Sequence, residues 1–337
     1  MGRILTIDGS ARDRAQDRAL PGIPGRWMAA SLALSALTVV LLLASDRLGL
    51  APRTPGAELK VAWFTLLALV RLNWRNPVTA MQRRLRDFAE DALLFTAIAL
   101  LGVLASYAVA ARTNGFVDAA LVRWDAALHF DWVAWYRTVN AHPVLQFAGA
   151  AAYQLIYLSP FLILGWYAWD GQRFAARRFL LAFWLAEVLT LVLFRAFPAE
   201  GPLAYLWRGP IPYMPTSALY QHQLIPALRL HRFEGIDMGD LRGLVCAPSF
   251  HTASAVLYMW GAWGVRWLRR VVVPINLAML LATPIEGTHY LSDMLAGAAV
   301  AGIAIVAVDL ALRWSGRHPG LWRATASALL DRHQRAA

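Results

Sequence analysis

The feature that most constrains this chain is a series of eight apolar runs, at roughly 28–45, 60–75, 89–111, 145–168, 178–197, 250–267, 271–286 and 289–312. Crossing a hydrocarbon core of ~30 Å takes about 20 residues, and most of the runs approach that length. Backbone in lipid has no water to satisfy its N–H and C=O groups, so such runs fold as helices packed on one another. The expected fold class is all-α: a polytopic membrane helical bundle. The second run, KVAWFTLLALVRLNW, is short and carries Arg71, and a re-entrant or interfacial course is its alternative. If it spans, eight helices leave both termini on one side. The run from Trp27 to Ser45 lacks a small-x-small cleavage site and reads as a retained anchor behind a polar stretch.

Composition agrees with this reading. The chain is 58% hydrophobic and only 16% charged, against about 25% charged in ordinary soluble domains. A net charge of +11 raises the question of nucleic acid. The arginines, however, sit in short clusters between apolar runs and form no continuous basic face, which excludes a nucleic-acid partner. Their distribution sets the orientation instead. With the N-terminus inside, 21 of the 32 basic residues fall in inner segments and every inner loop is basic. Both termini are then cytoplasmic. A single cysteine, Cys246, excludes a disulfide framework and a cysteine-based metal cluster, and reads as a small semi-buried residue.

Two outer segments are long. In 112–144, Val117, Leu121, Trp124 and Leu128 recur at helical spacing, with Asp118, Arg123 and Asp125 turned elsewhere. That is the pattern of a helix lying in the membrane interface. Residues 198–248 form a loop rich in Pro, Gly, His and Arg, of a length that is uncommon without function or substructure. Its Tyr205, Trp207, Tyr213 and Tyr220 read either as headgroup anchors or as the lining of an acceptor pocket.

The polar chemistry gathers at two helix starts. APSFHTASAVLYMWGAW (247–263) and THYLSDMLAG (288–297) place His251 and His289 at the N-terminal ends of neighbouring helices, both at the outer face. Helix N-termini offer unpaired N–H groups and partial positive charge, which suit a bound phosphate. Ser249 and Thr252 add hydroxyls there. His289 and Asp293 are four apart and share a helix face. A carboxylate on one ring nitrogen fixes the tautomer and makes the other nitrogen the better nucleophile. In this reading His289 attacks, Asp293 orients it, and His251 protonates the leaving oxygen. An ionisable Asp293 in a spanning helix, costing ~2.5–3.5 kcal/mol on insertion scales, is expected to have a partner. The alternatives are a structural His289–Asp293 pair, Ser249 as an N-cap, and a metal held by His251, His289 and Asp293, which lacks a further strong ligand nearby in sequence. From another class comes a non-catalytic or proton-coupled polytopic protein. Transporters, however, place their ionisable groups near the midplane, whereas these lie at one face.

These residues carry a resemblance. PSFHT (248–252) and HYLSD followed by MLAG (289–297) resemble the second and third motifs of the type 2 phosphatidic acid phosphatase superfamily. GLVCAPSFHTASAVL and LVRWDAALHFDWVAWYRTVNAHP are similar to its bacterial branch resembling fungal inositol phosphorylceramide synthase. The likeness covers roughly 88–312. It implies a six-helix core over 88–312, two extra helices within 1–87 and a basic cytoplasmic tail over 313–337. It also implies metal-independent, cofactor-free phosphoester chemistry through a phosphohistidine on His289, with a lipid phosphate as substrate and water or a hydroxyl compound as acceptor, at the outer leaflet of a bacterial inner membrane. Two cations of the usual pattern are missing: Val188 stands seven before Arg195 where a Lys is usual, and Thr283 stands six before His289 where an Arg is usual. Arg195, whose usual Pro neighbour is displaced to Pro198, is the first candidate for the phosphate countercharge. Arg229 and Arg242 come next. Glu286 reads as a loop residue or a second acid–base group.

Overall fold

The computed structural model describes residues 25–317 apart from 52, 53 and 234. The polar segment 1–24, with four of the inner arginines, and the tail 318–337 lie outside the described residues. The chain is an all-α bundle, in which strand among the described residues is confined to one two-residue pairing. Six segments are long and apolar enough to cross a membrane: Met28–Ser45, Ala80–Ala111, Pro143–Asp170, Arg173–Ala196, Arg266–Glu286 and Leu291–Trp314. Leu37, Val192, Leu281 and Val306 are exposed on their outer faces, as lipid-facing positions should be.

In chain order the elements begin with α1 (Gly25–Ser45), β1 (Leu50–Ala51), α2 (Ala57–Asn73) and α3 (Ala80–Ala111). Thr79 and Gln82 form a capping box that starts α3. α4 (Asp118–Ala127) and α5 (Trp132–Ala141) follow as short helices. The next span is broken into α6 (Pro143–Gln154), a 3-10 turn (Leu155–Tyr157) and α7 (Ser159–Asp170). Pro160, which has no N–H to give, sits in the first turn after the break. α8 (Arg173–Ala196) leads into the long loop, which holds α9 (Pro202–Leu206), α10 (Tyr220–Arg229) and β2 (Ile236–Asp237). α11 (Phe250–Ala262), α12 (Arg266–Glu286) and α13 (Leu291–Arg317) complete the bundle.

Two of the eight expected spans fall short. Residues 60–75 become the 17-residue α2, which packs antiparallel to α3 through Trp63 on Thr96 (3.2 Å) and Arg71 on Glu90 (2.9 Å). Residues 250–267 become the 13-residue α11, because the chain reverses at Trp263–Val265 and Arg266 already opens α12. At 1.5 Å per residue α11 is about 20 Å long. It is surrounded by the core: Phe179 and Phe183 of α8, Ile163 and Leu164 of α7, and Val300, Ala301 and Ala304 of α13 are buried in one cluster with Ala253, Leu257 and Tyr258. Small residues allow this closeness. A Cβ on Gly261 would come within 3.1 Å of the Phe179 ring.

The two ends of the bundle differ. At one end Arg173 bridges Asp87 (2.8 Å) and Glu90 (2.8 Å), Arg177 reaches Glu90 (3.1 Å), and Arg178 pairs with Asp309 near the end of α13 (2.6 Å). Several of the basic residues counted as inner are therefore already matched by carboxylates. The opposite end carries α4, α5 and the long loop. There Leu50 and Ala51 pair in parallel with Ile236 and Asp237, and Lys60 donates to the Gly239 carbonyl (3.0 Å). The connection between α1 and α2 and the long loop thus share one end. The loop also has a core of its own, in which Ile225, Leu228, Ile236 and Leu244 are buried against Leu104 and Tyr107 of α3 and Phe194 of α8.

Candidate active site

Ser249 is the N-cap of α11. It is buried, with extended backbone, and its Oγ accepts from the Thr252 N–H (3.3 Å) and from the Thr252 hydroxyl (3.2 Å). Its own N–H donates to the Asp293 carbonyl (3.1 Å), which ties the start of α11 to α13. The approach needs glycine at 297, since a Cβ there would lie 2.2 Å from the Ser249 carbonyl oxygen.

The start of α13 is held more elaborately. Thr288 takes the left-handed backbone conformation (φ 50°) and turns the chain into His289. His289 Nδ1 lies 2.9 Å from Asp293 Oδ1, and Asp293 Oδ2 accepts from the Tyr290 N–H (2.8 Å). Both side chains are buried. An ionised carboxylate can only accept, so Nδ1 carries the hydrogen and Nε2 keeps its lone pair. The expected helix-face pairing of His289 with Asp293 is therefore present. His251 lies across from it, with ring centroids 6.1 Å apart and planes at 55°.

The expectation that both helix N-termini offer free N–H groups needs correcting. Asp125 of α4 accepts from Leu291 N–H (3.0 Å) and Ser292 N–H (2.8 Å), so the first amides of α13 already have a carboxylate. At the start of α11, by contrast, the Ser249 side chain takes only the Thr252 amide among the first N–H groups. The same contacts set the faces of α4, the segment read from the sequence as an interfacial helix with Asp118 and Asp125 turned away from its apolar row. Asp118 and Asp125 are buried with Leu121, whereas Trp124 and Leu128 are exposed. Asp118 accepts from Glu200 N–H (3.1 Å), Gly201 N–H (3.0 Å) and the Tyr290 hydroxyl (2.8 Å). Burial raises its pKa, and these bonds pull it part of the way back. The helix turns its carboxylates inward as caps and leaves its large apolar residues outside.

Arg195, Arg229 and Arg242, expected around phosphate, are not joined to the histidine pair. Arg195 is exposed in the last turn of α8. Arg229 donates to Thr113 Oγ1 (2.9 Å) and the Gly115 carbonyl (2.7 Å) and covers Phe116. Arg242 pairs with Asp240 (2.9 Å) over the Tyr220 ring. These partners give Arg229 and Arg242 structural work in the loop. Thr283, at the position of the absent arginine, is buried and donates to the Met279 carbonyl (2.7 Å).

Glu286 is not a loop residue. It ends α12, is buried, and accepts from the Tyr213 hydroxyl (2.6 Å), the Thr216 N–H (3.0 Å) and the Thr216 hydroxyl (2.7 Å). It fastens the long loop beside the site. Tyr213 is thereby engaged, as is Trp207, whose indole donates to the Pro210 carbonyl (3.0 Å).

Cys246 is fully buried, with Sγ 3.6 Å from the Thr288 carbonyl. Donor atoms of Cys246, His289 and Asp293 lie within 4.8 Å of one another, so Cys246 takes the place that His251 held in the metal reading of the sequence. Burial pushes the Cys246 thiol well above its usual range, and the nearby Asp293, Asp118 and Glu200 push the same way. A thiol held neutral is a poor metal ligand, and both Asp293 oxygens already accept hydrogen bonds.

Sequence reasoning missed Tyr153. Its ring stacks on His251 with centroids 4.3 Å apart at 19°, and its hydroxyl lies 3.2 Å from His251 Nδ1. It sits in an apolar helix with no motif around it. Gly287 makes room on the other side: a Cβ there would come 2.6 Å from His289 Cδ2 and 3.1 Å from Tyr153 Cε2.

Comparison with curated proteins and with solved structures returns no match. A sequence profile described as the PAP2 superfamily matches residues 119–307, from α4 through both histidine-bearing helix starts and most of α13. That match takes in every residue of the His251–His289–Asp293 cluster and more than half of the chain, and on it the chain belongs to the PAP2 superfamily.

Proposed function

We propose that this multi-pass membrane protein moves a phosphoryl group from a lipid phosphate or diphosphate by way of a phosphohistidine on His289. Membership of the superfamily supports phosphoester chemistry. The observation that carries the mechanism is the pair of bonds at Asp293, which leave His289 Nε2 as a lone-pair nitrogen directed away from its carboxylate. Nε2 attacks phosphorus, the N–P bond forms, and the bond from phosphorus to the lipid or headgroup oxygen breaks. His251 gives that oxygen a proton. An acceptor hydroxyl then attacks phosphorus, returns a proton to His251 and releases His289. Water as acceptor makes the enzyme a lipid phosphatase, and a polyol or lipid hydroxyl makes it a phosphotransferase of the inositol phosphorylceramide synthase type. Ser249, Thr252 and the first turn of α11 hold the phosphate oxygens, with Arg195, in the last turn of α8, the first candidate for the countercharge. The excess of basic residues at the opposite end of the bundle supports a site on the extracytoplasmic side, in a bacterial inner membrane.

Purified protein in detergent is expected to release phosphate from a short-chain lipid phosphate, and His289→Ala to abolish that release. A chelator is expected to leave the rate unchanged. Full activity in His289→Ala overturns the reading, and loss of activity to the chelator moves the chemistry to a metal. Labelled lipid phosphate incubated with a panel of alcohols separates phosphatase from transferase.

A further inference from the structure

The two histidines of the site have partners of different chemistry. His289 is backed by a carboxylate, which holds its Nδ1 hydrogen and stabilises positive charge on the ring. His251 is backed by a phenol. Tyr153 is buried near the end of α6, two residues before the span breaks into its 3-10 turn at Leu155. Its ring lies flat against the His251 ring, and its hydroxyl faces Nδ1 at 3.2 Å. The stack fixes the plane of the imidazole. The hydroxyl occupies one ring nitrogen and so leaves Nε2 as the nitrogen that can meet a reacting oxygen.

We propose that Tyr153 is the positioning residue for His251, and that its neutral phenol is what lets His251 both give and take a proton. This rests on the reading of His251 as the acid–base group given above. A phosphohistidine carries charge on its ring and gains from a carboxylate behind it. The acid–base histidine must release the Nε2 proton to the leaving oxygen and recover one from the acceptor hydroxyl within a single cycle. A carboxylate behind it would hold the proton on. A phenol orients the ring without adding a charge, and it can accept from Nδ1–H or donate to bare Nδ1 as the protonation state requires. The proton count closes: one leaves Nε2 as the P–O bond breaks, and one returns to Nε2 as the acceptor oxygen bonds to phosphorus. Gly287 serves the same arrangement, since a side chain there would press on both the Tyr153 and His289 rings.

The test is Tyr153→Phe, which keeps the stacked ring and removes the hydroxyl. Two substrates are compared, an alkyl phosphate whose leaving oxygen needs a proton and p-nitrophenyl phosphate, whose leaving oxygen does not. Expected is a fall of about 10-fold in kcat/KM, which reads phosphohistidine formation and leaving-group release alone, on the alkyl phosphate, with little change in kcat/KM on the aryl phosphate. His251→Ala is expected to show the same selectivity at about 10²-fold or more. Equal losses on both substrates, or no loss on either, overturn the proposal. Tyr153→Leu, which removes the stack as well, is expected to show the same selectivity with a loss on the alkyl phosphate between those of Tyr153→Phe and His251→Ala, and a loss no larger than that of Tyr153→Phe shows that the stack does not orient the ring. An inactive His289→Ala beside a Tyr153→Phe that behaves as wild type sinks the tyrosine alone. An active His289→Ala sinks the phosphohistidine reading itself.

Discussion

In the proposed mechanism the chemistry turns on Asp293, because each of its oxygens has a separate task. Oδ1 fixes the His289 tautomer and Oδ2 holds the Tyr290 amide. Asp293→Asn is isosteric, yet its amide NH2 cannot accept from whichever donor it replaces. Steady-state kinetics on a lipid phosphate should show kcat lowered by about 10³–10⁴-fold, with helix content by circular dichroism unchanged. A variant within a few-fold of wild type would leave His289 without need of its partner. His289, Asp293, His251, Ser249 and Thr252 were legible in the sequence because each stands at a spacing with direct geometric meaning: four residues along a helix, or one to three residues from its start. Tyr153 was not legible, because its partner is 98 residues away and an aromatic residue in an apolar helix has no distinguishing neighbours. Cys246 and Glu286 were visible as residue types, but their burial beside the site depends on the path of the long loop.

Among the elements, α4 shows how a membrane inverts the usual reading of a helical stripe. In a soluble protein the row Leu121, Trp124 and Leu128 would face the core. At a membrane surface the apolar environment lies outside, so Trp124 and Leu128 remain exposed while Asp118 and Asp125 turn in to cap polar backbone. The period and its setting at the membrane surface were readable, whereas the carboxylates' partners were not, since Asp118 meets Gly201 and Asp125 meets Ser292 far along the chain. The consequence can be tested with Asp125→Ala, which leaves the Leu291 and Ser292 amides without their carboxylate. A loss of about 1–2 kcal/mol is expected, read as a lowered midpoint of thermal unfolding in detergent. A fall in kcat should accompany it, since His289 precedes those amides by two and three residues. An unchanged midpoint and rate would show the cap to be idle. The expected span at 250–267 exceeded α11 for a related reason. Apolar residues continue through Trp263 into α12, so hydropathy alone does not register the turn at Trp263–Val265.

At the scale of the whole molecule, the bundle has one end of arginine–carboxylate pairs and one end of short helices and loop, with both histidines at the latter. On the orientation proposed above, from the distribution of basic residues, the former end faces inward. A reporter inserted near residue 215 is expected to be extracytoplasmic, and one fused after Ala337 cytoplasmic, read as enzyme activity that depends on compartment. The reverse pattern would put the site on the inner leaflet. The bundle class was written in the apolar runs, and the ion pairing between helices at that end was not, since Arg178 with Asp309 joins residues 131 apart. The strand contact between 50–51 and 236–237 carries a further implication. It clasps the connector of the two leading helices to the segment that also borders His289, so neither stretch is free to gain or lose a residue by itself. An insertion in one would slide Leu50 away from Ile236 and drag the neighbouring backbone with it. Among descendants of a common ancestor, the lengths of these two connectors should therefore drift in step.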